Sequence, residues 1–104
     1  QPCDSAQRMT LHLGAVFCCN YSNYMCRIAE KLMADKGLNF KLMLPLLEET
    51  VEKLHHLTAK DAQTGPAARN DHSVMDKHIK ALEAYPAYQK LYKDIASGII
   101  NEEK

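Results

Sequence analysis

Apolar residues recur along this chain at helical spacing. Residues 11–37, LHLGAVFCCNYSNYMCRIAEKLMADKG, read as one long helix whose two halves differ in character. From Leu13 to Cys19 no position is charged, and a helix apolar all round belongs inside a domain. After Asn20 a one-sided pattern takes over, with Tyr21, Tyr24, Met25, Ile28 and Leu32 on one face and Arg27, Lys31 and Asp35 turned away. Gly37 supplies a left-handed C-cap. A helix over residues 10–36 is roughly 40 Å long, more than the diameter of a compact domain of this size, so one end should project toward something else.

The remaining segments wrap this helix in the expected arrangement. Asn39 caps a second helix whose stripe is Met43, Leu47, Thr50, Leu54 and Leu57. Pro45 removes a backbone donor, which favours a separate turn over residues 39–44 with the helix proper beginning at Pro45. Residues 58–70 lose the periodicity and carry Gly65-Pro66, so they form a connection with a helical turn near Lys60. Asp71 or Ser73 caps a third helix with Val74, Met75, His78, Ile79 and Leu82 inward, stopped at Tyr85-Pro86 because the residue before proline avoids the α region. A fourth helix turns Tyr88, Leu91, Tyr92, Ile95 and Ile99 inward and frays from Asn101. No segment alternates with period two, so the fold class is all-α: a helical bundle around one long central helix, with Phe17, Tyr24, Ile28, Leu47, Leu54, Leu82, Leu91 and Ile95 in its core.

Composition narrows the function. A chain of 104 residues, 46% hydrophobic and 25% charged, suits one globular domain. Thirteen basic residues balance thirteen acidic ones, leaving no electrostatic footprint for nucleic acid or an acidic membrane. The apolar run is too short to span a bilayer, and no secretory segment precedes it, which points to a cytoplasmic protein. The polar stretch 1–8 opens on Gln1 and reads as a mobile linker from a preceding segment, with Asp4 or Ser5 able to cap a helix, leaving 9–104 as a single domain. Of the four cysteines, Cys18, Cys19 and Cys26 cannot pair within one helix, and Cys3 lies in the polar start. Reduced, buried thiols are therefore expected rather than bridges. The histidines show no ligand spacing, so no metal site is expected.

No nucleophile elbow, dinucleotide fingerprint or P-loop occurs. What stands out is polar residues where the helical pattern calls for apolar ones. His12, Cys19 and Asn23 fall within about 20° of one line on an ideal helix, with Asn20 about 80° round from His12. They form either a wall facing a cleft or a set of buried groups satisfied by neighbouring backbone. The second candidate is QTGPAARND, residues 63–71, where a tight turn delivers Arg69 and Asp71 beside a helix start. Arg69 could grip a carboxylate or phosphate with its fork of donors, or simply pair with Asp71.

Together, HLGAVFCCNY and QTGPAARND resemble the helical domain of unknown function that follows a Rossmann domain in bacterial proteins of the Rossmann-like, or deazaflavin-dependent NADP oxidoreductase-like, kind. The resemblance runs from His12 to about Ile100. That family's motifs tend to read H-x-A-A-V-F-x-S-N and T-G-P-x-x-R-G-D. His12, Asn20, Thr64, Gly65, Pro66, Arg69 and Asp71 match, while Cys19 replaces a serine and Asn70 a glycine. More distantly the chain is similar to the C-terminal domains of pyrroline-carboxylate reductase and the hydroxyacid dehydrogenases. Val16 stands where the latter carry a lysine, so their proton chemistry does not transfer directly.

The resemblance implies a dehydrogenase C-terminal-domain-like fold, a missing N-terminal Rossmann domain that binds most of an NADP or NAD cofactor, a homodimer and a small-molecule substrate. No cofactor is expected on this segment alone. It also implies that the two motifs border the interdomain cleft. His12 and Asn20 are then the candidate catalytic residues, and Asn23, Thr64, Gly65, Pro66, Arg69 and Asp71 the candidate substrate- or cofactor-binding set. Histidine is the side chain suited to acid–base work near neutrality. The alternative is a helical dimerisation or partner-binding module without catalysis.

Overall fold

The computed structural model describes residues 4–103, and every element among them is helical. The all-α expectation holds. The chain divides into two compact units, Gln1–Pro45 and Leu46–Lys104.

The first unit is dominated by one continuous helical run. It comprises α1 (Ser5–Ala15), a π-helical turn (Val16–Tyr21) and α2 (Ser22–Ala34). The run begins at Ser5, earlier than the apolar pattern indicates, because Asp4 forms a capping box. Its carboxylate accepts from the Gln7 backbone N–H at 2.7 Å, and the Gln7 side chain accepts from the Asp4 N–H at 3.0 Å. At the far end Gly37 takes φ +72°, and the Leu38 N–H reaches back to the Met33 carbonyl at 2.9 Å. This is the left-handed cap expected of that glycine.

Asn39 caps a short 3₁₀ turn (Phe40–Met43) by accepting from the Lys41 N–H at 2.9 Å, and α3 (Leu44–Lys53) follows with Pro45 in its first turn. The separate-turn arrangement is the one adopted. Met25, Ile28, Ala29, Leu32 and Met33 make a half-buried stripe on α2, which contacts the 3₁₀ turn, where Phe40 and Met43 are half-buried too.

In the second unit, α4 (Ala59–Ala62) is the helical turn near Lys60, started by the Thr58 hydroxyl. Helices α5 (His72–Ala81) and α6 (Pro86–Glu103) pack together. Gln89 donates to the Ile79 carbonyl at 2.8 Å, and His78 Nδ1 lies 2.8 Å from the Tyr92 hydroxyl with the two rings edge to face. Among the described residues the buried ones are Ala67, Met75 and Leu82.

Burial is where the sequence expectation needs correcting. Of the eight expected core positions only Leu82 is buried. Ile28 and Leu91 are half-buried, while Phe17, Tyr24, Leu47, Leu54 and Ile95 are exposed. No residue of α1, the π-turn or α2 is buried. The thiols expected to be buried are likewise free and open, Cys18 and Cys19 exposed and Cys26 intermediate, and Cys3 lies outside the described residues. Periodicity marks which side of a helix is apolar, but a single sequence cannot say whether its own chain or another surface covers that side.

Candidate functional site

The motif at residues 64–71 folds as one helical turn closed at both ends. Gly65 takes φ +103°, a conformation open to glycine and strained for other residues, and Pro66 then sets the chain into a turn. The Arg69 N–H donates to the Gly65 carbonyl at 3.3 Å, and the Asp71 N–H to the Pro66 carbonyl at 2.8 Å. The turn is stopped by Asn70 at φ +55°. Asparagine is the non-glycine residue that best tolerates this left-handed position. Ala67 points inward and is buried, anchoring the turn to the unit's core.

Asp71 does two things at once. One carboxylate oxygen accepts from the Val74 N–H at 3.2 Å and caps α5, while the other lies 3.8 Å from Arg69 Nη2. The local Arg69–Asp71 pair is thus real but long, beyond hydrogen-bond reach, and the Arg69 side chain is 61% exposed. An open cavity of about 450 Å³ sits against this turn, bordered by Lys60, Thr64, Gly65, Arg69 and, from the end of α6, Glu103. Arg69 therefore presents its donors to a space large enough for a small ligand, held in place by a cap rather than consumed by a tight ion pair.

The other motif lies in the first unit, where His12, Asn20 and Asn23 are all exposed. The π-turn at Val16–Tyr21 falls within the motif and changes which residues share a face. A π-turn holds one residue more than an α-turn, so residues beyond it are set back by about 100°. Asn20 thereby moves from about 80° away into near alignment with His12, two turns along the same flank. Cys19 and Asn23, in line with His12 on an ideal helix, rotate away together. Sequence reasoning had no signal for this insertion, because a run uncharged on every side looks the same in either register. It also passed over Lys60, Ala67 and Glu103, whose roles depend on which parts of the second unit meet.

Among the described residues no three His, Cys, Asp or Glu side chains gather as metal ligands would. No helix there is long and apolar enough to cross a membrane.

Comparison with known proteins gives these observations a setting. The profile of the family described as Domain of unknown function (DUF2520) matches residues 1–99. No curated protein matches the chain significantly. A crystal structure from Bacteroides fragilis, of a protein provisionally named an NADP oxidoreductase, is similar over 95% of this chain, with a TM-score of 0.92 and 45% sequence identity. The chain spans 38% of that protein's length.

Proposed function

This chain belongs to the DUF2520 family, and from that footing we propose that it is the C-terminal substrate-cleft and dimerisation domain of an NAD(P)-dependent oxidoreductase. The observation that carries the reading is the close likeness of nearly the whole chain to a minor part of a longer protein named for NADP-linked oxidoreduction. In this reading the dinucleotide is bound mainly by a Rossmann domain outside these residues, which the family resemblance and the greater length of the similar protein support. When bound, the nicotinamide supplies or accepts the hydride.

This chain's share of the work is binding and orientation. His12 and Asn20, aligned on one flank of the long helix, offer hydrogen bonds to the reacting group of a small-molecule substrate, with His12 able to hold a proton there. Asn23 borders that flank. Arg69, shaped by the turn of Gly65, Pro66 and Asn70 and assisted by the Thr64 hydroxyl, holds an anionic group of substrate or cofactor. Asp71 positions Arg69 while capping α5. Arg69 and Lys60 border the cavity together with the acidic Asp61 and Glu103, and among these Arg69 offers the planar fork of donors that fits an anionic group.

The test is nucleotide titration and turnover of the full-length protein. NADPH or NADH fluorescence should change on binding, and the reduced nicotinamide should be consumed when a carbonyl or imine substrate is supplied. A full-length protein that binds the nucleotide but oxidises none of it with any such substrate would favour the second reading, a non-catalytic dimerisation or partner-binding module. The exposed apolar residues of the long helix are the observation on that side.

A further inference from the structure

Met9, Leu13, Phe17 and Tyr21 follow one another at intervals of four along the long helix, and each is between 52% and 65% exposed. On a regular α-helix a step of four residues advances about 40° beyond a full turn, so three steps carry the row about 120° round, off any single contact surface. Here the π-turn lies inside the row. Its extra residue sets the downstream part back by about 100°, which brings Met9 and Tyr21 to within about 20° of each other. Within the row the Phe17 and Tyr21 rings meet edge to face, with centroids 5.5 Å apart. The apolar row is straight because the helix is locally unwound.

We propose that this straightened row is a seam on which a second copy of the same chain docks, helix against helix, and that the π-turn exists to align it. The proposal rests on the dimerisation reading above and names its contact residues. Two features select a copy of the chain as occupant. Residues 11–26 contain no Asp, Glu, Lys or Arg, so the face can meet its own image about a two-fold axis without opposing like charges. The exposed area is also sufficient: side chains of this size leave roughly 500 Å² per copy, or about 1,000 Å² for two, which reaches the lower bound for a specific interface. His12 and Asn20 lie some 60–80° from the seam by the same helical arithmetic, so the docked helix would border their flank.

Sedimentation velocity of the full chain over a micromolar concentration series tests this, with the full-length protein run in parallel. A reversible dimer is expected. Phe17→Glu should raise its dissociation constant at least tenfold with helix content by circular dichroism unchanged, whereas Val51→Glu, a comparably exposed site on α3, should leave it unaltered. Inserting one alanine after Cys18 adds about 100° between the two halves of the row and should turn them apart, giving monomer with retained helicity. If Phe17→Glu loses helix content, Phe17→Ala and Tyr21→Ala provide the same comparison. A chain that stays monomeric into the high micromolar range overturns the proposal, as does a dimer indifferent to these variants. So does a full-length Phe17→Glu protein that remains dimeric but loses NADPH binding, which would assign the row to the preceding domain. The oxidoreductase reading is scored separately by turnover, which a monomeric enzyme could still show.

Discussion

Across Asn70, whose φ is +55°, the guanidinium of Arg69 and the carboxylate of Asp71 face each other at 3.8 Å. The left-handed residue between them turns Arg69 toward the cavity and Asp71 toward the start of α5. Replacing Asn70 with glycine should therefore be tolerated, and Asn70→Ala should destabilise the chain by about 1–2 kcal/mol, the usual cost of placing an L side chain there without asparagine's local hydrogen bonding. Thermal unfolding of the two variants side by side checks this, with alanine expected to melt several degrees lower.

Arg69 itself should matter little for folding. An exposed pair at this distance contributes at most about 1 kcal/mol. In the full-length protein, however, Arg69→Ala and Asn20→Ala should weaken ligand binding or turnover roughly ten- to a hundredfold, the loss typical of a hydrogen bond to a charged group. Normal binding with a melting temperature several degrees lower would make both residues structural.

Removing the Asp4 carboxylate takes away the acceptor of the Gln7 N–H in the capping box that starts α1, leaving only the bond from the residue-4 N–H to the Gln7 side chain. Asp4→Ala should cost about 1 kcal/mol and expose the first-turn amides to faster hydrogen exchange, with the amides of α5 unaffected. Uniform exchange across both helices would contradict a local role.

Tyr92 gives a pH dependence. Its partial burial raises the phenol above its ordinary value of 10.0. The unfolded chain therefore releases that proton first, so the stability is intact below pH 10 and declines as pH rises from there through the folded-state value. Tyr92→Phe should remove this alkaline decline while losing the 2.8 Å link to His78, at a cost of about 1 kcal/mol near neutrality. Urea melts at pH 8 and at pH 10.5 separate the two effects.

Local chemistry was legible in the sequence. Asp4, Gly37, Asn39 and Asp71 act as caps because their side chains or backbone freedom satisfy groups only a few residues away, and Pro45 and Pro86 mark helix starts for equally local reasons. Burial was not legible: Phe17 and Leu54 are apolar at helical spacing yet exposed, since what covers a face depends on distant contacts or other molecules. At the candidate site the sequence marked Arg69 and Asp71 correctly as neighbours of a helix start. It could not foretell the π-turn, because hydrogen bonds shifted by one residue leave no trace in a run of uncharged side chains.

The two adjacent, exposed thiols in that π-turn make the helix a surface that can be labelled on two sides. Successive side chains on a helical turn diverge by roughly a quarter of the circumference. A fluorophore attached at Cys18 and one attached at Cys19 would thus sit at nearly the same height on the rod but look in different directions. With the remaining cysteines replaced by serine, the pair becomes a compass. Quenching or emission shift at one position and not the other would report the bearing from which a neighbouring surface approaches the rod.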